Sequence, residues 1–307
     1  MRSLPSQSLP CLAVPLALVA LLPSLTRSED SPAPDSANAS WQLAFKFTPD
    51  QAVHYHDTYT SSIRLQKADK TVRILNNRES KKHYTVLSVD DMGQGLVETV
   101  IDHVKIYTRK GDDPPVKIDS SQSPDTCPAD FRPLLKTIGR PIAQSRCGRS
   151  GQLVKVISVS KTWLKANPGS TQESLSRSLQ KRGFLVPLPD KPVAIGDTWE
   201  EAMQARTADE VGKIHSISLK KVYTLAAVRD GQATITWKTI RLTPVTNPRL
   251  LAQLIQLIST GEILFDLQQG LVRSKTSHID QTLVGPFGAD TLMSAKTKHE
   301  LVLSDAD

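Results

Sequence analysis

The stretch PRLLAQLIQLISTGEILFDLQQGLVRSKTSHI, residues 248–279, changes its apolar period part-way, and that change decides the fold. In the first part Leu250, Leu251, Leu254, Ile255, Leu257 and Ile258 form a wide apolar face opposite Arg249, Gln253 and Gln256, the spacing of a helix that packs on something. Asn247 is a good N-cap, Pro248 suits the first helical position and Gly261 lies just past the end, so a helix is expected over 248–259. The second part, ILFDLQQGLVRSKTSHI (263–279), reads as a β-hairpin. A helix with an apolar face followed by a hairpin implies an antiparallel sheet with a helix laid on it.

The same order of elements occurs earlier. VHYHDTYTSSIRLQ (53–66), KHYTVLSVD (82–90) and GLVETVIDHVKIYT (95–108) read as strands, followed by a short helix around Pro133–Ile138, then Gly139 and a hairpin through CGRSGQLVKVISV (147–159). In the second half GDTWEEAMQA, GKIHSISLKKVYTLAAV and ATITWKTIRL precede the 248–279 stretch. The chain thus reads as two copies of one sheet-plus-helix pattern with little residue identity between them. Between them, Ser170 with Glu173 reads as a capping box and Gly183 as the end of a largely solvated connector helix. The polar, proline-rich GDDPPVKIDSSQSPDTCP (111–128) reads as a loop insertion in the first copy. The expected fold is mainly β, of the α+β kind: two pseudo-repeats of antiparallel sheet plus packed helix, either separate or joined as one continuous curved sheet. The expected boundaries are a signal peptide over 1–28, a disordered leader over 29–40, repeats over 41–160 and 191–307, and a connector over 161–190.

Export is read from the first residues. Arg2 precedes the apolar run LAVPLALVALLP (12–23), which has signal-peptide length and is short for a membrane span. A periplasmic or extracellular protein without a transmembrane span after signal removal is expected. Losing Arg2 and Arg27 lowers the formal charge from +7 to +5, a mild and scattered excess that gives no nucleic-acid signature. Cys11 leaves with the signal, so Cys127 and Cys147 form an even pair in an oxidising compartment and are the candidate disulfide.

No phosphate loop, nucleophile elbow, HExxH or EF-hand loop occurs in the sequence, so no catalytic residue, cofactor or metal site is assigned. The one local cluster with metal-ligand chemistry is His54, His56 and Asp57, but strand alternation puts the two histidines on one face and Asp57 on the other. Two imidazoles are too few for a closed zinc site. Asp57 instead sits between Tyr55 and Tyr59 on an apolar face, where a carboxylate requires a partner or water. Together with Leu250, Leu254 and Leu257 it is a candidate lining for a cavity.

The segment LVPLPDKPVAIGDTWEE (185–201) carries a resemblance. It is similar to a family of exported, planctomycete-type bacterial proteins of unknown function with a Pro-x-x-Pro-Val-x-x-Gly-Asp-x-Trp turn. The resemblance implies a bacterial envelope setting and brings no catalytic residues. The expectation is an exported, non-enzymatic envelope protein with a structural or protein-interaction role. The alternatives are a soluble carrier of an apolar or lipid-like ligand and a hydrolase without a recognisable motif. The partner is correspondingly an envelope protein or a lipid-like molecule.

Overall fold

The computed structural model describes residues 39–305. The expected signal peptide, Cys11 and all of the leader but Ala39 and Ser40 lie outside these residues. Twelve strands form a single antiparallel sheet. The first repeat supplies β1 (Ala52–Lys67), β2 (Lys70–Val89), β3 (Gly95–Lys110), β4 (Val116–Asp119), β5 (Pro141–Cys147) and β6 (Leu153–Val159). The second supplies β7 (Thr198–Ala208), β8 (Ile214–Arg229), β9 (Gln232–Arg241), β10 (Thr260–Asp266), β11 (Leu271–Val284) and β12 (Thr291–Ser304). The order across the sheet is β6-β5-β3-β2-β1-β12-β11-β10-β9-β8-β7, with β4 added beside β3. Both repeats therefore run the same way across the sheet, and the first strand of one pairs with the last of the other.

This order sets the path of the connector. β6 and β7 lie at opposite edges, so residues 160–197 must cross the whole sheet. They do so through α2 (Lys161–Ala166), α3 (Gln172–Arg182) and an extended tail in which Phe184, Leu185, Val186, Leu188 and Val193 are buried. The face they cover is the inner face. The N-terminal segment joins the tail there: Trp41 and Val193 exchange backbone hydrogen bonds of 2.9 and 3.0 Å, and Phe45 packs edge-on to Phe184 and Phe265. Aromatic residues make up only 5% of the chain, yet Phe45, Phe47, Phe184, Phe265, Tyr55 and Tyr84 meet in this one cluster. Gly151 holds the tail close. Its φ is +75° and an added Cβ would stand 1.9 Å from the Val186 carbonyl oxygen, so neither the conformation nor the space admits a side chain.

Local signals differ from the sequence reading in four places. The first-repeat helix is α1 (Arg132–Leu135), shorter than expected, and the second-repeat helix is α4 (Pro248–Leu254), after which residues 255–257 form a turn. Its cap is as read, since Asn247 accepts from Arg249 N. The capping box of α3 lies one residue later than expected: Thr171 is the N-cap and bonds reciprocally with Ser174, which leaves Glu173 at the second helical position. The 111–128 insertion is not all loop, since Val116–Asp119 pairs with β3. Finally, the expected Cys127–Cys147 disulfide is absent, and both thiols are free and buried. Register explains this: Cys147 stands opposite Gly95 at the start of β3, whereas β4, the strand leading toward Cys127, pairs with Lys105–Thr108 at its far end.

Burial pushes the Cys147 thiol up to about 12, where the thiolate that would react is scarce. The native chain at pH 8 should therefore leave Cys147 unlabelled by a maleimide, with modification following global unfolding. Rapid labelling in native buffer, located by peptide mapping, would contradict this environment.

A second packed region lies under α4, where Leu250 and Leu254 meet Ala205, Ile217, Leu219 and Val245, with Leu251, Leu257, Ile258 and Met203 partly buried around them. Leu254 is fully buried. Leu254→Trp is expected to overpack this region and to lower the urea unfolding free energy by about 1–3 kcal/mol. An unchanged midpoint and slope would mean that unfilled space lies beside Leu254.

Candidate functional site

Alternation along β1 places Tyr55, Asp57, Tyr59 and Ser61 on the inner face and His54, His56 and Thr58 on the outer one. Through the strand register Asp57 belongs to a row that crosses eight strands: Leu225, Ile235, Ile263, Lys275, Leu301, Asp57, Ser80 and Val104, each the direct cross-strand partner of the next. All but Lys275 are buried, and Lys275 is largely so. A lysine, an aspartate and a serine thus occur in a row whose other five members are apolar.

They do not neutralise each other. Leu301 stands between them in register, and Asp57 is already engaged by Lys82 at 2.6 Å, Arg78 at 3.1 Å and His299 at 3.3 Å. Burial alone would raise the Asp57 carboxyl, but the His299 hydrogen bond and the Lys82 and Arg78 charges override it and hold the group well below the usual carboxylate range. Lys275 Nζ instead donates to the Gly183 carbonyl, 3.0 Å away, at the junction of α3 and the connector tail. Burial first, then repulsion from Lys221, lowers its ammonium to about 7, with Asp57 opposing the change. On the far side Lys221 lies 5.9 Å from the centre of the Trp237 ring and 3.9 Å from Glu201, which also accepts from Tyr223.

The belt holds four basic side chains, Arg78, Lys82, Lys221 and Lys275, against two acids, Asp57 and Glu201. Its unfilled donors lean the same way. Among the described residues, Arg78 Nε, Ser80 Oγ, Trp237 Nε1 and Gln256 Nε2 are buried without a hydrogen-bond partner, and all can donate. Gln256, just past α4, sits over β12, with its Oε1 accepting from Thr297 at 3.3 Å. Trp237 is fixed by Gly261 opposite it, since a Cβ at Gly261 would fall 2.2 Å from the indole. A surplus of basic groups and unfilled donors is a setting that acceptors would satisfy.

Leu250 and Leu254, read as cavity-lining, pack in the α4 cluster with Leu257 at its margin, and Asp57 lies in the belt. Sequence reasoning missed Lys275, Lys82, Arg78 and Trp237. The signal was a cation on apolar parity: Lys82 precedes Tyr84 and Val86 on one face, as Lys275 precedes Ile279. A cavity of about 20 Å³ lies under the aromatic cluster between Phe45, Tyr84 and Phe184, room for about one water. A broad depression of about 480 Å³ lies around the middle of β1 and β12, lined by Thr60, Ser62, Asn77, His278 and Lys298. It is open, and its rim ion pairs Lys296–Asp280 and Lys298–Glu300 are already made.

Compared with known proteins, the chain matches no family model and no curated protein. No helix among the described residues is long and apolar enough to cross a membrane.

Proposed function

We propose that this is an exported binding protein that carries an amphiphilic anion on the inner face of its sheet. The observation that carries the reading is the unneutralised Lys275, set in an apolar row beside buried donors that lack acceptors. The acid group of the ligand would take Lys275, whose ammonium now donates to a backbone carbonyl. Its apolar part would lie against the partly buried Met203, Leu257 and Ile258 beside the belt.

The present packing is closed, so entry requires the cover to move, and Lys275 couples the two events. Its one hydrogen bond among the described residues is to the Gly183 carbonyl, at the root of the connector tail. An incoming carboxylate or phosphate competes for the same ammonium with a full negative charge, where the carbonyl offers only a dipole. Exchange of carbonyl for anion at Lys275 would release the tail while anchoring the ligand.

The test is a titration with a fluorescent fatty acid and, separately, its methyl ester. Saturable uptake of the acid, with the ester bound much more weakly, supports the reading; no saturable uptake of either probe ends it. A second reading, an envelope protein that docks other proteins, rests on the open sheet, whose terminal strand β6 exposes Val154 and Ile157. Native mass spectrometry of protein recovered from its own envelope separates the two, through a retained anionic molecule or a retained polypeptide.

A further inference from the structure

We propose that the outer face of β1–β3 holds a divalent metal site of the zinc class, ligated by His54, His83 and Asp102. This inference does not depend on the carrier reading, because the two sites lie on opposite faces of the sheet.

The site is built by register and by one irregularity. His54 and His83 are direct cross-strand partners, with ring centres 5.4 Å apart. On the next strand Lys81 pairs with His103 and Lys82 with Ile101, so Asp102 is the extra residue of a β-bulge. A bulge re-aims the side chain it inserts, and this one brings Asp102 Oδ1 and Oδ2 to 2.8 and 2.9 Å from His83 Nδ1. One ligand atom from each of the three residues lies within 4.8 Å of the others.

The distances favour an ion over a chance grouping. Zinc bonds nitrogen and oxygen at about 2.0–2.1 Å, which places tetrahedral ligand atoms about 3.3 Å apart. The His83–Asp102 contact of 2.8 Å is shorter than that value and the three ligand atoms lie within 4.8 Å of one another, so side-chain rotations would bring them around an ion. Imidazole with carboxylate is a donor set suited to zinc and its neighbours. Other histidines pair with an acid: His56 with Glu79, His103 with Asp119, His215 with Asp209 and His299 with Asp57. Among the described residues, the His83–Asp102 pair is the one that a second imidazole joins to form such a group. Three protein ligands on a partly exposed patch leave the fourth position to solvent, the pattern of a site that exchanges a ligand. Sequence reading could not find it, because His54 is separated from its two partners by 29 and 48 positions.

The experiment is zinc titration of the untagged full chain by calorimetry, with metal content after dialysis measured by mass spectrometry. One ion per chain is expected, with affinity lowered at least about tenfold in His83→Ala and in Asp102→Asn, and unchanged in His215→Ala, whose histidine has an acid but no second imidazole. Because the variants could disturb the sheet, Co²⁺ added to the wild-type chain gives an independent reading. Visible d–d bands of a four-coordinate ion, bleached by zinc, are expected. No binding, binding unchanged in both ligand variants, or only the weak bands of octahedral Co²⁺ would each overturn the proposal.

Discussion

Asp57→Ala is expected to cost about 3–5 kcal/mol of unfolding free energy, the range for removing one partner of a buried charge group. Asp57 is fully buried and is the shared acid of Lys82, Arg78 and His299. Without it Lys82 and Arg78 lose the buried carboxylate that both of them bond. The acid side of the stability profile carries the same term. The folded carboxyl titrates well below its unfolded counterpart, so its contribution is complete above the ordinary aspartate value of about 3.9 and is lost as pH falls below it. Urea unfolding of wild type and Asp57→Asn between pH 6 and pH 2.5 should therefore converge as the pH drops. A loss under about 1 kcal/mol in Asp57→Ala at neutral pH would show that solvent, not Asp57, supports Lys82 and Arg78.

The residues that were legible are those governed by local period. Alternation along β1 was enough to send His54 and His56 one way and Asp57 the other, because successive strand side chains point to opposite faces. The sheet-plus-helix order of both repeats was legible for the same reason, and Asn247 capped α4 as its side chain requires. What failed depended on contacts distant in sequence. The connector helix read as solvated, yet Leu175 packs against Ile142 and Val156, and the tail beyond it, from Phe184 to Val193, is central to the largest core. Its apolar residues carry no helical or strand period, because their burial follows from crossing the sheet from β6 to β7. An even cysteine count suggested a bridge, but pairing depends on where β3 places the two ends, and it places them apart.

The two proposed sites were hidden in different ways. At the belt Lys82 and Lys275 were visible as cations on an apolar parity, but the separation of Lys275 from Asp57 becomes evident only once register places Leu301 between them. At the outer face the second imidazole and the carboxylate arrive from neighbouring strands, and Asp102 arrives through a bulge that local sequence does not announce. Position on the sheet, more than residue type, makes either group chemically specific.

Lys275→Met is expected to stabilise the empty protein at pH 7 while reducing uptake of an acid-headed probe by about tenfold or more. The two effects have one cause. Burial and Lys221 lower the ammonium to about 7 in the folded chain, against about 10.4 when unfolded, so the unfolded state binds more protons between these values. Stability then rises with pH across that interval, and the cost of the buried charge is greatest below about 7. Methionine has similar length and no charge, and is expected to remove that slope and to gain about 1–3 kcal/mol at pH 7, even after losing the bond to Gly183. A ligand anion would repair the same defect differently, by restoring the proton to Lys275. Calorimetry at pH 8 in two buffers of different ionisation enthalpy should accordingly register uptake of close to one proton per acid bound by wild type and none by Lys275→Met. If the variant is less stable and takes up the probe as wild type does, Lys275 is a strut for the connector tail and the anion site lies elsewhere. If it is more stable and no longer binds, the protein keeps a destabilising charge for the sake of its ligand, as residues selected for binding commonly do.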